Sequence, residues 1–302
     1  MTGITPQTGL SESWIRCSTS YNLDPAERWE TRLLSQPELR FISNRTRLLI
    51  QHALPEMERL HTMVMALGFT VMLADANGVV LSRQTSRDDL TGCRRWGFQA
   101  GALWDEANAG TNSIGTCLQE KKPVMVLQSQ HWRLCFRGLT GGIAAPLYNA
   151  SGKLAGVLNI CSFAGNDILP FAGLLMETMT TTARKIEERL FREFFPNETI
   201  ITLGLATASS TPLVALNTDG HVQGATHASR ERMHWPEGEL EHLPALMNFL
   251  DSEDELSFRK AEVHVIRSAL ATTQGNVSAA ARTLGISRST LHRKIKMLNL
   301  MP

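Results

Sequence analysis

The charged residues of this 302-residue chain are segregated along its length. Residues 258–300 contain eight Lys and Arg residues and one Glu, which gives this segment a net charge of +7. Because the whole chain carries only +1, the remainder carries −6. A basic module joined to an acidic body indicates a C-terminal segment that binds nucleic acid. The 43% hydrophobic content supports buried cores, so the chain is not disordered throughout.

The basic segment has the apolar spacing of short helices. One helix is predicted at 261–273, a glycine turn follows at Gly275, and an Ala-rich helix is predicted at 277–284. Ser287 can cap a last helix that runs to about Leu298. This order predicts a helix-turn-helix, in which the last helix presents hydrogen-bond donors to guanine and phosphate acceptors. The candidate DNA-binding residues are Ser287, Arg288, Ser289, Thr290, His292, Arg293, Lys294 and Lys296.

The phrase from Gly275 to Lys296 resembles the Fis-type helix-turn-helix nearly throughout. The resemblance implies a DNA-binding domain at 258–302 that acts as a dimer, with the helix before the motif supplying the dimer contact. It also implies DNA-facing positions at Arg288, Thr290, His292, Arg293 and Lys294. The alternative is a basic amphipathic tail with no sequence-specific role.

The middle of the chain has the patterns of strands. Strand pairs joined by tight polar turns are predicted at 69–81 and 142–160, a further strand at 124–127, and a short helix at 112–121. These elements predict an α+β fold, in which an antiparallel sheet carries helices on one face.

Residues 1–62 are predicted to be a mainly helical region. Asp24 and Pro25 have the residue types that start a helix, and Pro55 should end or kink the helix that contains it. Helices are expected at 11–17, 24–34, 39–67 and 171–194.

A second specific phrase runs from Trp104 to Leu118, with Gly110 and Gly115 around a predicted helix start. Unpaired N–H groups at such a start can meet an anionic or carbonyl ligand. The alternative is a purely structural role for this phrase, in which Thr111 and Asn112 cap the helix and Trp104 belongs to the core.

This phrase resembles the sensor GAF domain of the acetoin- and dihydroxyacetone-type regulators in the bacterial enhancer-binding family. Further matches lie at 13–17, 22–25, 145–147 and 152–158 and at His131, so the resemblance covers about 11–195. It implies a GAF domain whose pocket binds a small molecule. The candidate ligand-binding residues are Trp104, Thr111, Asn112, Ile114, Cys117 and His131.

The GAF domain is assigned to 63–195, and 196–257 to a PAS-like remnant followed by an acidic linker. Residues 235–257 contain seven acidic residues and no Lys or Arg, which is typical of a solvated linker. Regulators of this family carry a central AAA+ ATPase, but the sequence contains no Gly-x-x-x-x-Gly-Lys-Ser/Thr loop. ATP-driven activation is therefore not expected.

The expected function is that of a homodimeric transcriptional regulator, in which a small-molecule effector bound to the GAF domain controls binding to double-stranded DNA. RNA polymerase and another regulator are further candidate partners. One alternative is a non-sensing adaptor or antagonist that pairs with a full-length activator. A second alternative is an enzyme, a thiol-dependent methionine sulfoxide reductase. A third is a metal or redox site formed by the cysteines together with His131. No set of nucleophile, base and orienting group is recognised, so no catalytic residue, cofactor or metal is predicted.

The expected compartment is a reducing cytoplasm without membrane contact. The five cysteines are odd in number and scattered, unlike a disulfide framework. Residues 1–10 lack a basic patch followed by an apolar stretch, and no apolar run approaches the ~18 residues of a membrane helix.

Overall fold

The computed structural model describes residues 8–87, 90–163, 167–204, 211–237, 240, 258–273 and 275–298. Contacts divide the chain into two units. The first comprises Met1–Leu216 and Gln223–Glu241, and the second Asn217–Val222 and His242–Pro302. Most of the acidic stretch at 235–257 lies outside the described residues. No helix within the described ranges is long and apolar enough to cross a bilayer.

The first unit contains an antiparallel sheet with the strand order β2-β1-β5-β4-β3. Its strands are β1 (Thr70–Asp75), β2 (Val80–Gln84), β3 (Val124–Leu127), β4 (Leu139–Tyr148) and β5 (Leu154–Phe163). Its helices are α1 (Thr8–Ile15), α2 (Gln36–Arg45), α3 (Arg47–Val64), α4 (Leu90–Arg95), α5 (Glu106–Ala109), α6 (Ser113–Glu120) and α7 (Ala172–Phe194). The predicted α+β class, the strand pairs and the Asn-Gly turn are confirmed. Gly78 has a φ of +80°, which suits glycine at this turn.

Both faces of the sheet are covered, so the prediction of helices on one face was wrong. Helices α3 and α7 cover one face, where Met57 and Met179 belong to the same core as Leu73. The other face packs against α6 and the chain before it, where Met72 and Ile114 share a core. All six residues of β1 are buried, and the apolar run Val71–Ala74 within it is continuous rather than alternating, as in strands that are covered on both faces.

The helix expected at 24–34 is not formed. Asp24 accepts a hydrogen bond from the N–H of Ala26 at 2.8 Å, but only a turn follows. Trp29 instead packs against Trp104 and Phe136, with ring centroids 5.1 and 4.8 Å away. The chain then runs extended, and Leu33 forms a β-bridge with Ala102. Burial of a large aromatic ring and backbone pairing outweigh the local helix signal here.

Pro55 lies inside α3 and does not end it, so this part of the expectation was wrong; a kink at Pro55 stays a prediction. The break in the predicted 39–67 helix lies at Thr46, between α2 and α3. Helix α3 continues through Pro55 because its buried face, which includes Ala53 and Leu60, packs on the sheet.

A smaller sheet and a short helix follow α7. The sheet has the order β6-β7-β8. These elements are β6 (Thr199–Thr202), β7 (Leu213–Leu216), β8 (Val222–Ala225) and α8 (His227–Met233).

The C-terminal helices are α9 (Phe258–Thr272), α10 (Val277–Thr283) and α11 (Arg288–Met297), as the sequence predicted within a few residues. Asn276 caps α10 by accepting from the N–H groups of Ser278 and Ala279. Ser287 caps α11 by accepting from the N–H of Thr290. The core of these helices contains Ile266, Ala269, Ala280, Ala281, Leu291 and Ile295.

The close approach of α6 to the preceding loop gives a stability prediction. A Cβ atom on Gly115 would lie 2.6 Å from the backbone N of Glu106 and 2.8 Å from the carbonyl oxygen of Trp104. Because backbone atoms must move, Gly115→Ala should lower the free energy of unfolding by about 1–3 kcal/mol. The control is Gly173→Ala in α7, where a Cβ would meet nothing within 4 Å. Urea unfolding should show a loss for the first variant and none for the second; equal stabilities would contradict the packing described.

Candidate functional site

The exposed surface of α11 carries most of the candidate DNA-binding residues. One concave face is lined by Arg288, Ser289, His292, Arg293 and Lys296, all of them exposed. Thr290 and Lys294 are half-buried. The Ser287 hydroxyl lies 2.9 Å from that of Ser289 and 2.7 Å from that of Thr290, so it contributes to the start of the helix. The face combines positive charge with hydrogen-bond donors, the chemistry that phosphates and guanine edges accept.

A small cavity lies between the sheet and α6 in the first unit. Its volume is about 10 Å³, near the space that one water requires. Four of the six candidate ligand-binding residues line it: Trp104, Asn112, Ile114 and His131. Because the sequence predicts that these residues bind an effector, we call it the effector cavity. Its remaining lining residues are Met72, Phe98, Ser113, Leu139, Gly141, Gly142, Asn159 and Cys161.

The other two candidates, Thr111 and Cys117, are not among the residues that line this cavity. The Thr111 hydroxyl is 2.7 Å from that of Ser13 in α1 and 3.5 Å from the sulfur of Cys17. Cys117 is fully buried in the core, and burial raises the pKa of its thiol. Its sulfur is therefore a protonated, packed group rather than a reactive thiolate.

Asn112 holds the loop rather than offering free donors to the cavity. Its amide nitrogen donates to the carbonyl oxygens of Trp104 at 3.0 Å and Gly110 at 2.8 Å. Its side-chain oxygen accepts from the N–H of Gly115 at 2.9 Å, which caps α6. Both amide hydrogens are thus already used in shaping this segment.

The sequence reasoning missed Asn159 in β5. It is 1% exposed, and its Oδ1 accepts from the hydroxyl of Ser113 at 2.7 Å. Its Nδ2 is buried and has no hydrogen-bond partner among the described residues. An unsatisfied buried donor costs about 1–3 kcal/mol, which a ligand acceptor would recover. The available signal was a single amide within the apolar run at 154–160.

The effector cavity has no charged wall at neutral pH. Burial lowers the pKa of His131 to about 4, although its contact with the Gln128 carbonyl acts in the opposite direction. The Nδ1 atom lies 3.0 Å from that carbonyl oxygen, so Nδ1 carries the proton and Nε2 is an acceptor. The other lining side chains are apolar, amide, hydroxyl or thiol groups. No three potential metal ligands come together in the part of the chain that the structure describes.

Helix α1 and Arg16, the residue that follows it, hold the segments around this cavity in place. The Trp14 indole N–H donates to the carbonyl of Gln130 at 2.9 Å. The Arg16 guanidinium binds the carboxylate of Glu106 at 2.8 Å and that of Glu120 at 2.9 Å. Glu106 is fully buried, so this ion pair joins the N-terminal segment to the start of α5 where solvent screening is weak.

Comparison with protein families assigns both parts of the chain. Residues 53–190 match the GAF domain, and residues 257–298 match the bacterial regulatory protein model of the Fis family. The chain therefore combines a GAF domain with a Fis-type helix-turn-helix, which confirms the resemblance drawn from its motifs.

Two curated relatives are named for acetoin. The acetoin catabolism regulatory protein of Cupriavidus necator is 30% identical over 78% of this chain and 35% of its own length. The acetoin dehydrogenase operon transcriptional activator AcoR of Bacillus subtilis is 30% identical over 78% of this chain and 38% of its own length. The chain thus spans little more than a third of each relative. Both relatives are regulators, in agreement with the expectation that this chain is not an enzyme.

A solved structure shares the fold. A chain of the E. coli DhaR(N)–DhaL complex superposes with a TM-score of 0.57 at 14% identity, over 81% of this chain and 86% of that one. At this identity the likeness concerns the fold.

The exposed cations of α11 give a DNA-binding prediction. Arg293→Ala should weaken binding to duplex DNA and lower the slope of log K against log salt by about one, because one phosphate contact is lost. Arg232→Ala, an exposed arginine of the first unit, is the control. Anisotropy titrations across a salt series measure both variants. An unchanged slope for Arg293→Ala would mean that this side chain does not contact phosphate.

Proposed function

We propose that the chain is a transcriptional regulator in which a small uncharged molecule, bound in the effector cavity of the GAF domain, controls DNA binding by the helix-turn-helix. The proposal rests on the side-chain amide nitrogen of Asn159, which is buried and has no hydrogen-bond partner among the described residues. This buried donor lies in a cavity wall without ionised groups. The proposed domains are a helical region at 1–62, the sensor at 63–195, a PAS-like remnant and linker at 196–257, and the DNA-binding domain at 258–302.

The walls define the chemistry of the effector. Asn159 needs an acceptor, and His131 accepts through Nε2 and therefore suits a hydroxyl donor. The rings of Phe98 and Trp104 favour a compact carbon skeleton. A small hydroxyketone combines these properties. Acetoin, which the names of two relatives mention, is therefore the first compound to test.

Effector binding requires the cavity walls to separate. The described conformation has room for about one water, so it is a closed state. A ligand that binds only the open state shifts the population toward it, and such differential affinity is the requirement for control. Helix α1 contacts Thr111 and Gln130, the residues that precede Asn112 and His131, so its contacts must adjust when the cavity opens.

A homodimer through α3 and α7 would bring two DNA-binding domains together. These helices cover one face of the sheet, and their exposed residues include Leu48, Met63, Leu174 and Phe194. A two-fold dimer buries the same face of both copies, so an exposed apolar face of this kind suits such an interface. Two recognition helices in successive major grooves would read half-sites about 34 Å apart. We propose that regulation proceeds without ATP hydrolysis, since the phosphate-binding loop of the AAA+ ATPases does not occur in this sequence.

The non-sensing adaptor is the competing function. It uses the same domains and pairs with a full-length activator, but it predicts no ligand response. Titration of the full chain with acetoin, with thermal stability and operator affinity as readouts, separates the two. A bound ligand raises the midpoint by mass action. A flat response to acetoin and to related hydroxyketones and diols would favour the adaptor.

Asn159→Leu should weaken binding of acetoin about tenfold or more, because a charge-neutral hydrogen bond worth about 1.5 kcal/mol is lost. Ser113→Ala is the matched control, since it removes the hydroxyl that donates to Asn159 Oδ1 but leaves the unpaired Nδ2–H group of Asn159 in place. Calorimetric titration of both variants provides the measurement. If both variants lose affinity equally, the side-chain pair shapes the cavity and the amide does not bind the effector.

Leu174→Glu should convert the proposed dimer to a monomer, because the charge would lie within an apolar interface. Leu174 is 70% exposed on α7, so the substitution leaves the fold of the free chain intact. Leu134→Glu is the control, as Leu134 is 44% exposed in a different segment. Light scattering after size-exclusion chromatography reports the mass. A dimer that survives Leu174→Glu would rule out this interface.

A further inference from the structure

A second cavity lies beside the outer edge of β4, beyond the end of β3. Strand β3 begins where Val124 pairs with Ala144, so residues 145–148 of β4 extend past their neighbouring strand. Helices α7 and α8 flank this edge, and between them lies a cavity of about 220 Å³, equal to the volume of about seven waters at ~30 Å³ each. We call it the junction cavity.

Aromatic rings and a carboxyl group form its walls. The rings of Tyr148 and His227 stack with centroids 3.7 Å apart and planes 6° apart. The Tyr148 hydroxyl donates to the carbonyl of Lys121 at 2.9 Å, which fixes the ring. The carboxyl of Glu187 accepts from the N–H of Tyr148 at 2.9 Å through Oε1. Its Oε2 has no hydrogen-bond partner among the described residues, although Glu187 lines the cavity.

The lysines at the rim are already paired. The Nζ atoms of Lys121 and Lys122 lie 3.3 Å from carboxylates of Glu237 and Glu120, respectively. Neither of these carboxylates lines the cavity. Both lysines at the rim are therefore paired with carboxylates that lie outside the cavity.

The remaining groups make the cavity acidic. Glu231 lies 3.4 Å from Nε2 of His227, whose pKa is lowered mainly by burial, so the imidazole supplies little positive charge. The pKa of Tyr148 is raised by burial first and then by the carboxylates around it, Glu187 among them. Burial also raises the pKa of Glu187 to about 8, although the hydrogen bond from the Tyr148 N–H acts in the opposite direction. A cation bound beside Glu187 would lower the pKa of its carboxyl group and favour the ionised form.

We propose that the junction cavity binds a small organic cation with N–H donors, of the primary ammonium class, through a charged hydrogen bond to Glu187 Oε2. The ammonium donates to the carboxylate, and the stacked rings of Tyr148 and His227 cover its carbon chain. This site is separate from the effector cavity, and the inference stands whether or not acetoin binds there.

Binding is linked to one proton. Near pH 7 the Glu187 carboxyl is mostly protonated, since its pKa is about 8. When the ammonium binds, the O–H bond of the carboxyl breaks, the proton leaves to solvent, and the ion pair remains. The ionised fraction rises roughly tenfold between pH 7 and pH 9, while an alkylammonium with a pKa of about 10.4 stays charged. The affinity should therefore rise about tenfold over this range.

Calorimetric titration of the full chain with butylammonium tests the proposal. We expect saturable binding, a tenfold gain between pH 7 and pH 9, and release of about one proton near pH 7. Buffers of different ionisation enthalpy measure that release on the unmodified chain. Tetramethylammonium, which has the same charge but no N–H, and the anion butyrate should bind much more weakly.

Glu187→Gln should weaken butylammonium binding more than tenfold and abolish its pH dependence. The amide oxygen can still accept from the Tyr148 N–H, so the wall is preserved. Glu188→Gln is the control, since Glu188 pairs with Arg192 on the same helix and does not line the cavity. Undiminished binding by Glu187→Gln, preference for butyrate or tetramethylammonium, or no binding at any pH would each overturn the assignment. If Glu187→Gln does not fold, proton release by the unmodified chain decides the question.

Discussion

The complete burial of strand β1 determines how the first unit is built. Because β1 is buried along both faces, each face needs its own cover. One face receives the long helices α3 and α7, and the other receives α6 with the loop that precedes it. The same constraint makes Asn159 notable, because a polar side chain in the middle of such a strand must find partners inside the core. Ser113 supplies one of them, and the effector cavity leaves room for another.

The loop before α6 keeps its shape through buried polar contacts that tolerate little change. Asn112 binds two carbonyl oxygens of the loop, and Gly115 allows the helix to approach the backbone at Glu106. Arg16 then ties Glu106 to the N-terminal segment from outside. Removing one partner of such a pair leaves a buried carboxylate unpaired, which costs about 3–5 kcal/mol. The cavity wall therefore depends on a segment distant in sequence.

The sequence predicted the features that local chemistry decides. The helix-turn-helix follows from the glycine turn at Gly275, the cap at Ser287 and the apolar spacing, all of which lie within a few residues. The strand pairs follow from turns such as the one at Gly78. The extended course near Trp29 could not be predicted, since it depends on Trp104 and Phe136 far along the chain. For the same reason Asn159 was missed: its significance comes from Ser113 and the cavity, not from its neighbours in sequence.

Strand β4 contributes residues to the walls of both cavities. Gly141 and Gly142 line the effector cavity, whereas the segment that includes Ala145 and Tyr148 lines the junction cavity. The first part is paired with strands on both sides, and the second is paired only with β5 within the described sheet. The effector cavity lacks ionised groups, while the junction cavity has a carboxyl group, Glu187, whose pKa is raised to about 8 by burial. The same strand thus lines two cavities of different chemistry, and a ligand suited to one of them has no electrostatic reason to bind in the other.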